Sequence, residues 1–191
     1  MSVDQYEVVY SDPPWPYHGS QTKWAAAAKF YETLPMDDLA AAAQPPLARP
    51  GILLMWTTSA HLANAVHLID RWGLHYRGVA FVWVKTRRDG TPIGAQGVRP
   101  SITKPLTEFV VAASNVAKGR PLRLHDESIP QTVFAPRREH SRKPDEVRSY
   151  IERMYPSATR LEMFARSQHP GWDAHGDETG KFAATGIASI A

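Results

Sequence analysis

The stretch Val8-Val9-Tyr10-Ser11-Asp12-Pro13-Pro14-Trp15-Pro16-Tyr17 gathers residue types that can do chemistry at one point. An apolar, β-branched run reads as a buried strand, and it ends in an acid, two prolines and an aromatic ring. Pro13 and Pro14 cannot continue a ladder, so the strand ends at Asp12. Each proline fixes its own φ and pushes the preceding residue to extended geometry, which makes the turn stiff. The result is a carboxylate on Asp12, a Pro13 carbonyl expected to be unpaired, and the flat rings of Trp15 and Tyr17. That set suits a planar ligand bearing an exocyclic amine: two acceptors take its two hydrogens while rings stack on its face. A strand followed by a proline turn with a capping Asp needs none of the aromatic residues that follow here.

The elements that must hold this turn follow from the rest of the chain. With 191 residues, it is expected to form one domain over 1–180 with a frayed tail at 181–191. Hydrophobic residues make up 43% and charged residues 21%, the balance of a soluble globular protein. No apolar run has membrane-spanning length and Met1–Tyr10 shows no signal pattern, so a cytoplasmic location is expected. The absence of cysteine excludes a disulfide frame, a zinc–cysteine site and a cysteine nucleophile. Net charge is only +3, so the placement of basic residues says more than their total.

Strands are expected at Tyr6–Tyr10, Gly51–Trp56, Val79–Val84, Phe109–Ala113, Thr132–Phe134 and Thr159–Phe164. Helices are expected at Met36–Ala43, from Ser59 to Gly73 with Leu62, Val66 and Ile69 as its apolar stripe, and after Pro144 with Val147, Tyr150, Ile151 and Met154 as its stripe. Gly119–Asp126 reads as a basic turn region, shaped as a hairpin. The alternation predicts an α/β fold with a largely parallel central sheet flanked by helices. Ligands in such sheets bind beyond the carboxyl ends of the strands, where Asp12, Trp56, Lys85 and Arg166 fall. Lys85 to Pro105 carries Lys85, Arg87, Arg88, Arg99 and Lys104 against the single acid Asp89, and Arg137, Arg138 and Arg142 lie in a second loop. Together they predict a basic rim suited to phosphates, although such runs are more often simply solvated. The histidines have no ligand spacing; His61 and His67 are six apart, and no metal is expected.

With these residues in hand, the chain resembles the N6-adenine methyltransferases that carry an Asp-Pro-Pro-Trp motif, relatives of the messenger-RNA N6-adenosine methyltransferase catalytic subunit. Asp12-Pro13-Pro14-Trp15 is similar to the catalytic tetrad. Tyr31 to Leu39, Trp56-Thr57, Trp83-Val84-Lys85-Thr86, His140-Ser141-Arg142-Lys143-Pro144, Leu161-Glu162-Met163-Phe164-Ala165-Arg166, Gly171-Trp172-Asp173 and Gly176-Asp177-Glu178 resemble the segments that follow in order. The chain departs from the pattern at Leu106 and Asp177, where the family often carries Asn. The resemblance implies a Rossmann-like, S-adenosylmethionine-dependent methyltransferase with a permuted motif order. It implies catalytic roles for Asp12, Pro13, Pro14 and Trp15. Cofactor contacts are implied at Asp12, Lys143, Glu162, Phe164, Arg166, Gln168, His169, Asp177 and Glu178. Tyr17, Trp56, Lys85, Arg87, Arg88, Arg99 and Lys104 are expected on the substrate side.

The expected reaction is methyl transfer from S-adenosylmethionine to N6 of adenine in nucleic acid, with DNA favoured over RNA. Two other readings stand beside it: a non-catalytic nucleic-acid-binding homologue, and a methyltransferase of another amine such as cytosine N4. Asp12 argues against both, because relatives of those kinds lose the acid or carry Ser in its place. A hydrolase built on the histidines lacks a metal pattern and a nucleophile elbow. The sequence is compatible with a monomer and with a homodimer.

Overall fold

The structure is a computed structural model that describes residues 5–15, 36–42, 44–94, 102–138 and 142–176. Among these, seven strands form one sheet: β1 Tyr6–Ser11, β2 Leu47–Thr57, β3 His75–Thr86, β4 Thr107–Ser114, β5 Thr132–Pro136, β6 Arg160–Met163 and β7 Asp173–His175. The helices are α1 Met36–Ala42, α2 Leu62–Arg71, preceded by a single 3-10 turn, and α3 Asp145–Met154. The sheet order is β5-β3-β4-β2-β1-β6-β7. Its neighbours are parallel except where β4 runs against β2 and β3. The expected α/β fold with a largely parallel sheet is therefore the one observed.

Side-chain alternation along the strands divides the core between the two faces. On one face Val8, Tyr10, Ile52, Leu54, Trp56, Phe81, Trp83 and Val110 meet Val147 and Ile151 of α3. On the other, Val9, Leu53, Met55, Val111, Leu161 and Met163 meet Leu39 of α1 and Ala65, Leu68 and Ile69 of α2. Burial on both faces is why these strands read as continuous apolar runs. The α1 connection from β1 to β2 thus covers one face, and α3, which leads into β6, covers the other. β1 lies between β2 and β6, where the connections part to opposite faces. A crevice opens at the carboxyl end of such a strand, and there the chain places Asp12.

Some expectations need correction. Gly119–Asp126 forms no hairpin; it belongs to an irregular connection between β4 and β5. Leu122 and Leu124 pack against the core, and the His125 N–H bonds the Met154 carbonyl at 2.9 Å, so this backbone pairs with α3 rather than with itself. β7 has no counterpart among the expected strands; three residues are too few for alternation to register as a strand signal. Val66 was expected inside the α2 stripe, yet it is 38% exposed while Ala65 and Leu68 are fully buried. With the helix starting at Leu62, the inward arc runs through 62, 65, 68, 69 and 72, and Val66 falls beyond its edge. Leu68→Ala should therefore cost about 2–5 kcal/mol of unfolding free energy and Val66→Ala less than about 1 kcal/mol, as measured by urea denaturation.

Candidate active site

The turn after β1 is tighter than the sequence suggests. The Trp15 N–H donates to the Pro13 carbonyl at 2.9 Å, closing a three-residue turn around Pro14. The Pro13 carbonyl is therefore not unpaired, as expected above, but it has a second lone pair. Trp15 is nearly buried: its indole N–H donates to the Trp56 carbonyl at 2.9 Å and its ring stacks on His61 with centroids 5.9 Å apart. These contacts hold the tetrad against the end of β2.

Charge converges on Asp12. The Lys143 ammonium lies 3.0 Å from Asp12 Oδ1 and 3.2 Å from Glu108 Oε2. Lys85 holds the other oxygen of Glu108 at 2.5 Å. The chain of charges thus runs Asp12, Lys143, Glu108, Lys85. Lys143 also lies 5.4 Å above the Trp56 ring, and Lys85 lies 5.0 Å above the Trp83 ring. Burial alone would lower the Lys143 pKa, but Asp12 and Glu108 outweigh it and raise it, so the group remains an ammonium and cannot serve as a base. Burial likewise works against the charge on Glu108; Lys143 and then Lys85 overcome it and hold the carboxyl below its ordinary value.

The topology explains the convergence. β4 is antiparallel, so its beginning lies beside the ends of β2 and β3, and Glu108 stands opposite Trp83 in register. Lys143 arrives just before α3, with Pro144 extended at the N-cap. Trp56 is 0% exposed, so its side chain cannot touch a substrate directly, contrary to the substrate-side role expected above. Its indole N–H donates to the Tyr10 hydroxyl at 2.5 Å, its carbonyl holds Trp15, and its face lies under Lys143.

The second half of the site follows β6. Glu162 pairs in register with Tyr10 of β1 and faces α3, where Arg148 grips both of its oxygens at 2.8–3.2 Å. Phe164, next in line, has φ of 58°, a left-handed conformation uncommon for a bulky residue and typical of places where function over-determines the backbone. Gly176 explains part of that constraint: a Cβ there would lie 2.6 Å from the Ala165 backbone. Gln168 donates to the Trp172 carbonyl at 2.6 Å, and His169 lies 2.7 Å from the Ser167 hydroxyl. Burial, then Arg148, lowers the His169 pKa, so its ring is neutral at ordinary pH. Arg166 is also in this segment.

The structure thus brings together Asp12, Pro13, Pro14, Trp15, Lys85 and Lys143, with Glu162 on the adjoining strand. Arg87 and Arg88 are exposed in the turn after β3, and Lys104 lies against Gly94. Arg138 bonds Asp145 at 2.6 Å and the Lys143 carbonyl at 3.1 Å, so it braces the start of α3 as well as carrying charge. Tyr17, Arg99, Asp177 and Glu178 lie outside the described residues, as does the tail at 181–191. Among the described residues no group of three or more His, Asp or Glu side chains is placed to hold a metal ion, and no helix is long and apolar enough to cross a membrane. Sequence reasoning gave no role to Glu108 or Arg148. The acid immediately before the expected strand Phe109–Ala113 was the available signal for Glu108; Arg148, in the polar spacing of a helix, gave none.

The MT-A70 family model matches residues 6–178. The chain is 32% identical over 193 residues to the Type II methyltransferase M.MunI of Mycoplasma sp, covering 91% of this chain and 78% of that protein. It is 28% identical over 178 residues to a probable N(6)-adenosine-methyltransferase MT-A70-like protein of Oryza sativa subsp. japonica, covering 92% of this chain and 23% of that one. With the human N(6)-adenosine-methyltransferase catalytic subunit METTL3 it shares 26% identity over 178 residues, 92% of this chain and 28% of that protein. The chain therefore spans most of the first relative and about a quarter of the other two. It belongs to the MT-A70 family, a family of N6-adenine methyltransferases.

Proposed function

We propose that this protein transfers a methyl group from S-adenosylmethionine to N6 of adenine in DNA. The observation that carries the reading is the placement of Asp12: a carboxylate at the end of the central strand, with Oδ1 held by Lys143 and a proline carbonyl as its neighbour. The similarity to enzymes named for N6-adenosine methylation supports adenine as the target. DNA is favoured because the relative that this chain covers for most of its length is a type II methyltransferase.

The residues present fit the methyl donor. Its amino-acid end carries an ammonium and a carboxylate, and its ribose carries two hydroxyls. Asp12 and Glu162 are acceptors for the ammonium and the hydroxyls, and Lys143 is a cation for the carboxylate. Phe164, Arg166, Gln168 and His169 follow Glu162 in the same segment, and the resemblance assigns Asp177 and Glu178, outside the described residues, to the same donor. Bound there, S-adenosylmethionine supplies an electrophilic methyl group on sulfur.

The adenine amine is a weak nucleophile because its lone pair is delocalised into the ring. Asp12 Oδ2 and the Pro13 carbonyl accept its two hydrogens, which favours the pyramidal nitrogen that attacks. The same acceptors stabilise the positive charge that develops as the N–C bond forms and the C–S bond breaks. The extra proton leaves toward Asp12 or water after transfer, so no strong base is needed. Lys143 fixes the carboxylate rotamer, and orientation supplies much of the rate. Arg87, Arg88 and Lys104 are assigned to phosphate contact, as are Arg99 and, for the base, Tyr17, both outside the described residues. Trp56 and Lys85 act through Lys143 and Glu108.

Labelled methyl transfer to DNA and RNA oligonucleotides of mixed sequence tests this. Label should appear on adenine of DNA and fall at least about 100-fold in Asp12→Ala. Label on RNA alone would overturn the DNA assignment, and label on cytosine would overturn the base. Absence of both label and cofactor binding would favour a non-catalytic homologue. Lys143→Met leaves Asp12 and Glu108 without their shared cation. It should cut the rate about as deeply as Asp12→Ala, while Lys143→Arg retains part of it, measured in the same assay.

A further inference from the structure

Arg148 has no part in the reaction described above, yet it is among the most constrained side chains near it. It projects from α3 and is 12% exposed, against 15% for its partner Glu162. Its Nη2 lies 3.1 Å from Glu162 Oε1 and 2.8 Å from Oε2, and its Nε lies 3.2 Å from Oε2. Its Nη1 reaches Asp145 Oδ1 at 3.4 Å. Asp145 in turn takes Arg138 at 2.6 Å and has Arg142 at 3.9 Å. A surface ion pair would contribute little and tolerate loss. This one is half-buried, multidentate and anchored at both ends.

The surroundings of Glu162 explain why it needs a fixed cation. From β1 and its end it faces the buried Tyr10 hydroxyl and the Asp12 carboxylate. From α3 it faces Arg148 and, beyond it, Asp145. His169, after β6, is neutral and adds no charge. Ala174, its partner on β7, has nothing to offer. Burial first, then the Asp12 and Asp145 carboxylates, raise the Glu162 carboxyl above its ordinary value, and Arg148 alone opposes them and limits that rise.

We infer that Arg148 is a positioning residue of the methyl-donor subsite, holding the Glu162 carboxylate ionised and aimed so that it accepts from the ribose hydroxyls of the donor. This rests on the assignment of Glu162 to donor binding made above. An ionised carboxylate has about four acceptor positions; Arg148 makes two contacts to Oε2 and one to Oε1, and the position left open on Oε1 serves the ribose. A protonated carboxyl would donate from one oxygen and lose an acceptor, and an unheld one would turn away.

The test is calorimetric binding of S-adenosylhomocysteine to the whole chain between about pH 6 and about pH 9, with thermal unfolding of each variant as the folding control. In Arg148→Met the site should bind about tenfold more weakly at neutral pH, because the Glu162 carboxylate is then unheld and its protonation is further favoured by burial and by Asp12 and Asp145. As pH rises and the carboxyl ionises, the loss should shrink. Arg148→Lys should restore most of the affinity. Glu162→Gln should weaken binding to a similar degree with no pH dependence, and Arg148→Met combined with Glu162→Gln should be no worse than Glu162→Gln alone. Wild-type affinity in a folded Arg148→Met, or a loss that is equal at every pH and adds to that of Glu162→Gln, would overturn the inference. Wild-type affinity in Glu162→Gln would overturn it too, and would locate the failure in the donor assignment of Glu162. No binding by the unmodified chain would instead count against the methyl-donor reading as a whole.

Discussion

A single ammonium, that of Lys143, is shared by two carboxylates nearly a hundred residues apart in the sequence, Asp12 and Glu108, and the rest of the site is arranged to make that sharing possible. Asp12 ends the first strand, Glu108 begins the fourth, and Lys143 precedes the last helix. Three charges gathered in a partly dry crevice are costly unless each is paired on more than one side. Lys85 completes Glu108, and the faces of Trp56 and Trp83 lie beneath the two lysines. Removing Lys143 leaves Asp12 without its cation and Glu108 with Lys85 alone. The site is therefore pre-organised as a set, which is the condition under which fixed charges and dipoles lower a barrier most.

The same logic continues along the sheet. Glu162 and Arg148 form a second, separate pair on the other side of Asp12, tied through Asp145 to the arginines that precede α3. Tyr10 lies between the two halves, its phenol raised far above its ordinary pKa by burial and its oxygen accepting from Trp56. It remains a neutral spacer of fixed geometry. The aromatic residues here serve chiefly as walls and props for charge, with Trp15 and Trp56 bonded to one another through a backbone carbonyl.

Much of this was legible in the sequence, for physical reasons. Strands buried on both faces announce themselves as unbroken apolar runs, so Val8–Tyr10, Ile52–Met55 and Val110–Ala113 were legible, although β2 begins four residues before the expected Gly51, in the half-exposed stretch Leu47–Pro50. Prolines after Asp12 forced the strand to stop there, which put the acid at a carboxyl end. What sequence could not show was direction. The reversal of β4 decides that Glu108, rather than Ser114, lies at the active end, and no local pattern encodes it. The pairing of Pro13 with the Trp15 N–H was missed because a three-residue turn has no compositional mark distinct from a longer one. Val66 was misplaced because a stripe read at i and i+4 fits two neighbouring faces when the helix start is uncertain by one residue.

In the proposed reaction Asp12 and the Pro13 carbonyl receive the target amine while Lys143 holds the carboxylate from behind. A crystal structure with a bisubstrate analogue, an adenosine whose N6 is tethered to the amino-acid end of the methyl donor, tests it most directly. The account predicts N6 within about 3 Å of both Asp12 Oδ2 and the Pro13 oxygen, with Lys143 still bridging Asp12 and Glu108. An adenine seated away from the turn after β1, or a Lys143 ammonium interposed between Asp12 and N6, would contradict it.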